Sequence, residues 1–144
     1  LFFLCVLLCM CFWLSACGSA GNAVPNEARR LLALQEKCGS QARAEFDSAG
    51  FEKYQFVTLT NHYNQKLDKC FTQLNSIDAR VAGDSAVRRS VFVIDAFDGK
   101  SYGEYSSQAD KTVPSKCKVV SLSGQETACR SEREFRAAIA QYME

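Results

Sequence analysis

Residues 90–106 read SVFVIDAFDGKSYGEYS, and this stretch decides the fold class. Ser90 to Phe97 is rich in β-branched and aromatic residues, which suit a pleated, half-buried surface. Val91, Phe92, Val93 and Ile94 are apolar at consecutive positions, so both faces of this strand are covered and it lies inside a sheet. Asp98-Gly99 follows at once. A two-residue type I′ turn needs positive φ at both central positions, which Asp-Gly tolerates, so Ser101 to Ser106 is expected to return as the second strand of a hairpin. Pairing through such a turn sets Phe92 opposite Tyr105 and Ile94 opposite Gly103.

Upstream, Tyr54 to Ile77 fits two periods. Tyr63, Leu67, Phe71 and Leu74 recur at helical steps, whereas Tyr63, Leu67, Phe71 and Ile77 also share the parity of a strand. The runs Phe56-Val57-Thr58-Leu59-Thr60 and Cys70-Phe71-Thr72 favour extended structure. A strand there also lets Cys70 reach the element before it. That element is a helix over about 26–48. Asn26 serves as N-cap, Glu27 suits the positive end of the dipole, and Leu31, Leu34, Cys38, Ala42 and Phe46 mark one apolar face. Gly39 weakens it locally and Gly50 ends it. Downstream, Gln108 to Ser115 reads as loop and Lys116 to Leu122 as a short strand. Ser131-Glu132-Arg133-Glu134 is a capping box, after which Phe135, Ala138, Ile139 and Tyr142 line one face of a helix over about 132–143. The expected fold is α+β, a small antiparallel sheet with an N-terminal and a C-terminal helix.

The start of the chain is of another kind. Leu1 to Leu14 carries no charge and reads as the apolar core of an export signal. It is short of the about 20 residues needed to cross a bilayer, and Gly18-Ser19-Ala20-Gly21-Asn22 follows. No Met and no basic segment precede the apolar run, so the precursor is expected to continue upstream. Leu14-Ser15-Ala16-Cys17 resembles the lipobox of bacterial lipoprotein precursors. The resemblance covers residues 1 to about 22 and implies cleavage of the signal peptide 1–16, acylation of Cys17 and a lipid-attached tether over 17–25. Each buried methylene of such a chain contributes about 0.8 kcal/mol, so several chains (palmitate among them) anchor firmly to the membrane. In such lipoproteins an Asp after the lipidated cysteine favours the inner membrane. Gly18 stands there, which implies the outer membrane, facing the periplasm.

Removing the signal leaves residues 17–144, of which 26–144 are expected to form a single globular periplasmic domain. The leader holds none of the 17 basic or 16 acidic side chains, so the mature part keeps the net charge of +1. That balance argues against nucleic acid as a partner. Of eight cysteines, Cys5, Cys9 and Cys11 lie in the signal and Cys17 takes lipid. Cys38, Cys70, Cys117 and Cys129 remain, an even number that reads as two disulfides in an exported chain. Three pairings are open. Cys38 with Cys70 and Cys117 with Cys129 is favoured because these pairs close the smallest loops, and the second would staple the last helix to the strand before it. No C-x-x-C occurs and His62 lacks a second ligand nearby, so no metal and no other cofactor is expected.

Candidate chemistry is sparse. His62 is the one histidine and the natural general base, yet no nucleophile-elbow pattern surrounds any serine. It reads as a polar strand or loop residue, and no catalytic residue is assigned. Asp95 and Asp98 form a pair of carboxylates, better explained by strand-end solvation and turn chemistry. Lys66, Lys69 and Arg88-Arg89 read as solvated surface. Among the aromatics, Tyr63, Tyr102 and Tyr105 are candidates for a binding face, with Tyr54 and Phe56 beside them.

Two further resemblances bear on function. Asn61-His62-Tyr63-Asn64, Lys66-Leu67, Lys69-Cys70-Phe71 and the ending Glu134-Phe135 to Tyr142-Met143-Glu144 resemble a group of small uncharacterised bacterial secreted proteins, which brings no activity with it. Periplasmic lysozyme inhibitors share the size and disulfides, and one family of them uses a Ser-Gly-x-x-Tyr loop. Here Ser123-Gly124 is followed by Gln125, Glu126 and Thr127, so the tyrosine is absent. The expected protein is a non-enzymatic envelope lipoprotein that binds a partner protein, with a hydrolase inhibitor or a small hydrolase using His62 as alternatives.

Overall fold

A computed structural model describes residues 26–51, 56–79 and 87–144. The signal, Cys17 and the tether lie outside the described residues. The elements are helix α1 (Asn26–Ser48), strands β1 (Phe56–Asn64), β2 (Lys69–Asp78), β3 (Arg88–Asp95), β4 (Ser101–Gln108), β5 (Lys116–Val120) and β6 (Glu126–Ala128), and helix α2 (Glu132–Met143). The strands form one six-stranded antiparallel sheet in chain order, β1 to β6. Among the described residues no helix is long and apolar enough to cross a membrane.

Consecutive residues of β2 show how the helices are placed. Cys70 is bonded to Cys38 of α1, and Phe71 packs on Tyr142 of α2 with ring centroids 4.8 Å apart. Neighbouring strand residues point to opposite faces, so the two helices cover opposite sides of the sheet. The larger core lies under α2, where Phe71, Val91, Val93, Tyr102, Tyr105 and Val119 meet Phe135, Ile139 and Tyr142. The smaller one lies under α1 and consists of Cys38, Ala42, Tyr63, Cys70 and Ala96. β3 lies between β2 and β4, as its unbroken apolar run implied; Val91 and Val93 are fully buried on the α2 face, whereas Phe92 and Ile94 on the other face are half-buried.

The β3–β4 hairpin departs from the two-residue turn expected for Asp98-Gly99. The Asp95 carboxylate accepts the Phe97 amide at 3.0 Å, and the Asp95 carbonyl accepts the Gly99 amide at 2.8 Å. The Asp95 amide in turn donates to Lys100 O at 2.9 Å. The loop is therefore Ala96 to Gly99, longer than Asp-Gly alone, and Gly99 supplies the positive φ of 70° that closes it. The register shifts by one: Val91 faces Tyr105, Phe92 faces Glu104 and Val93 faces Gly103. A bulge between Val93 and Ile94 leaves Tyr102 as the extra residue, so it joins Gly103 and Tyr105 on the α2 side. Gly103 is needed there for another reason. A Cβ on it would come within 3.1 Å of the Ile139 and Phe135 side chains, so with any larger residue there these α2 side chains would have to give way by a few tenths of an ångström.

Both helices span the expected residues. Ser131 Oγ accepts the Glu134 amide at 3.2 Å, and the Glu134 carboxylate reaches back to the Arg130 amide at 2.8 Å, one residue before the cap itself. β5 ends at Val120, short of Leu122, and β6 pairs with it through an unforeseen turn. Gly39 has room for a methyl group, since the nearest atom to an added Cβ is Asn61 Nδ2 at 3.6 Å. Gly39→Ala should therefore raise the unfolding free energy by about 0.5–1 kcal/mol through helix propensity, measured as a higher urea midpoint at unchanged slope.

Candidate functional site

Cys38–Cys70 and Cys117–Cys129 are the disulfides, so the pairing with the smallest loops is the one formed. The first is sealed, with both cysteines at 0% exposure. None of these four sulfurs is available as a nucleophile or metal ligand, and no metal-binding group of His, Cys, Asp and Glu occurs among the described residues.

The tyrosines marked for a binding face are core residues. Tyr102 is 1% exposed, Tyr105 5% and Tyr63 6%. The bulge turns Tyr102 inward against Phe71 and Tyr142, while Tyr105 packs on Phe135. Tyr63 lies under α1, where its hydroxyl donates to Asp68. Strand parity alone would have put Tyr102 on the other face; the bulge reverses it.

Asp95, Asp98 and Lys69 form a cluster at the turn. Asp95 is 1% exposed, not solvated as a strand-end residue would be, and Lys69 Nζ reaches it at 2.5 Å and Asp98 at 3.2 Å. Lys69 and Lys100 also lie over the Tyr102 ring, 5.5 and 5.2 Å from its centroid. The hydrogen bond to Asp95 is the main cause that holds the Lys69 ammonium well above its ordinary value. This arrangement locks the hairpin and leaves neither carboxylate unpaired for acid–base work.

His62 on β1 touches the end of α2. Its Nε2 lies 2.8 Å from Glu144 O, and a carbonyl only accepts, so Nε2 carries the proton and is no base in this state. Beside it Asn64, 3% exposed, donates through Nδ2 to the carbonyls of Gln141, Tyr142 and Glu144. Its Oδ1 accepts the Leu67 amide at 3.2 Å. Asn64 thus caps the C-terminus of α2 and shapes the β1–β2 turn at once. Sequence gives no sign of this cap, because the carbonyls it serves lie 77 residues or more along the chain.

α2 covers only part of its side of the sheet. The uncovered part is a groove of about 350 Å³ lined by Phe56, Thr58, Gln73, Asn75, Ile77, Arg89 and Arg136, among others. Phe56 is 63% exposed and forms an apolar wall. Gln73 donates to Asn75 at 3.2 Å and Asn75 to Thr58 at 3.3 Å, which fixes a row of amide and hydroxyl groups across the floor. Glu132 holds the guanidinium groups in place, at 2.6 Å from Arg136 and 3.4 Å from Arg89. Each arginine is about half exposed, at 49% and 52%. A guanidinium has five N–H donors, so each arginine keeps donors beyond those given to Glu132 on a side chain that lines the groove.

Two carboxylates tie these features to pH. Hydrogen bonding from Arg136 is the main cause that holds Glu132 below its ordinary 4.5, outweighing burial, with the charges of Arg136 and Arg89 adding to it. Burial alone would raise Asp98, but the Lys100 amide and the Lys69 ammonium outweigh it and hold the group below 3.8. Both pKa values are depressed on folding. The stability they contribute is complete above the ordinary carboxylate values and is lost as pH falls through the lower folded ones. Urea midpoints should therefore drop between about pH 5 and pH 2, and Glu132→Gln should make that drop shallower.

No protein-family model, curated protein or solved structure matches the chain.

Proposed function

We propose that this is an envelope lipoprotein, anchored through an acylated Cys17 at the outer membrane, whose folded domain is a non-enzymatic binding module. One observation carries the reading: all four cysteines downstream of Cys17 are spent in two disulfides. Such bonds form and persist in an oxidising compartment, which agrees with an export signal ending in Leu14-Ser15-Ala16-Cys17. A chain with its thiols paired and His62 Nε2 committed to a carbonyl is better equipped to bind than to turn over a substrate. The ligand-facing surface in this reading is the groove beside α2. Its arginines, fixed amides and Phe56 wall suit a partner rich in hydrogen-bond acceptors and negative charge.

A photo-crosslinking residue at Asn75, on the groove floor, should capture a defined envelope component in living cells. The same residue at Thr127, on the far edge strand, should not. Capture that is equal at both positions, or that survives Arg136→Ala with Arg89→Ala, contradicts the assignment.

Inhibition of an envelope hydrolase is a second reading, favoured by the β5–β6 turn. Ser121 Oγ there meets Ser123 Oγ at 2.8 Å and accepts the Gln125 amide at 3.1 Å, while Leu122 at the tip is 44% exposed. An exposed, hydrogen-bonded turn with an apolar tip can enter an active-site cleft. Lysozyme assays with and without Leu122→Asp separate this form of binding from the groove.

A further inference from the structure

β1 is an edge strand left in a state that edge strands rarely keep. Phe56–Asn64 holds no Lys, Arg, Asp, Glu or Pro, whereas exposed edges are usually blunted by charge, by proline or by a covering element. The Tyr63 amide donates to Gln35 Oε1 at 3.0 Å, so it points away from β2. Outward and inward backbone groups alternate along an antiparallel strand. Val57, Leu59 and Asn61 therefore also turn their N–H and C=O groups outward. Among the described residues, Gln35 is the one side chain that hydrogen-bonds the β1 backbone on that side, and it closes the open edge at Tyr63.

We propose that this edge pairs with the same edge of a second copy, joining two sheets through an antiparallel β1–β1 ladder centred on Leu59. The open series Val57, Leu59, Asn61 is symmetric about Leu59, which is what a two-fold axis requires. Leu59 then pairs with the partner's Leu59, and Val57 with the partner's Asn61, so every outward group in the series finds a mate. On the α2 side Thr58 comes opposite the partner's Thr60, a favourable β-branched pair. Phe56, 63% exposed in one chain, comes opposite the partner's His62. With no charge on the strand, self-pairing brings no like charges together.

The ends are complementary as well. His62 touches Glu144 at the negative end of α2, and Phe56 shares its groove wall with Arg136. Antiparallel pairing carries the C-terminal end of α2 of each copy toward the Arg136 end of the other, a favourable meeting of charge and dipole. The two grooves end up side by side on one face of a continuous sheet.

Sedimentation of the exported, disulfide-bonded full chain, in density-matched detergent, tests this. The wild type should show a concentration-dependent two-chain species. Leu59→Pro removes an outward N–H that β2 does not use, and proline is tolerated on an edge, so this variant should keep its circular dichroism and dissociate at least about tenfold more readily. A charge test reads the register even if that variant folds poorly. Thr58→Lys with Thr60→Lys should yield monomer, and Thr58→Lys with Thr60→Glu should restore the dimer, because position 58 faces position 60 of the other copy. A wild type that stays monomeric, a dimer that survives Leu59→Pro, or equal behaviour of the two charge variants overturns the proposal.

Discussion

Replacing Cys38 and Cys70 together by Ala is expected to lower the unfolding free energy by about 4 kcal/mol, the largest loss from removing any covalent link in the domain. The bond spans 32 residues, against 12 for Cys117–Cys129. Restriction of the unfolded chain grows with the logarithm of loop length, which gives about 4 and about 3 kcal/mol for the two. Packing makes the asymmetry sharper. The buried core under α1 is Cys38, Ala42, Cys70, Ala96 and Tyr63, mostly small side chains that bring little apolar area, with Leu31 and Leu34 only partly buried against it. α1 itself has only Cys38 and Ala42 buried, so its attachment depends on the disulfide to an unusual degree. In the double variant, amide hydrogen exchange should rise first throughout Asn26–Ser48 while β3, β4 and α2 stay protected. Uniform loss of protection over the whole chain would show that α1 and the sheet unfold as one unit.

The second large effect is at Tyr142. Its ring lies 4.8 Å from Phe71 and 5.3 Å from Tyr102, and its hydroxyl donates to Val120 O at 2.8 Å. One side chain thus connects α2 to β2, β4 and β5. It is fully buried, and burial is the main cause that raises its phenol above the ordinary value. Tyr142→Ala should cost about 3–5 kcal/mol from lost burial and the cavity left behind. Tyr142→Phe keeps the ring and leaves the Val120 carbonyl short of a donor, for a loss of about 1–2 kcal/mol. Chemical denaturation of the pair separates the ring from the hydroxyl. Equal losses would mean that the hydrogen bond, not the packing, holds α2 down.

Elements with a strong local period were legible in the sequence. Leu31, Leu34, Cys38 and Ala42 mark α1; Phe135, Ile139 and Tyr142 mark α2; the unbroken run at Val91 to Ile94 marks an internal strand. What was not legible depended on contacts between distant residues or on a single irregular one. Asp98-Gly99 indicated a turn but not its length, because Asp95 extends it by accepting the Phe97 and Gly99 amides. That one difference shifted the register and, with the bulge, moved Tyr102 from a supposed binding face into the core. Lys69 read as solvated surface because Asp95, its partner, lies 26 residues along the chain. β6 is three exposed residues, too short for any period to show. The groove could not be read either, since Thr58, Gln73, Arg89 and Arg136 come from four elements that only the sheet and α2 bring together.

In the proposed function, Leu14-Ser15-Ala16-Cys17 divides the eight cysteines into signal, anchor and two disulfides. Intact mass of the protein purified from the envelope, after alkylation without reductant, tests it most directly. The mature protein is expected to begin at Cys17, to carry acyl mass on that residue and to take up no alkyl group at Cys38, Cys70, Cys117 or Cys129. A mature terminus elsewhere, an unacylated Cys17, or alkylation at any of the four would contradict it.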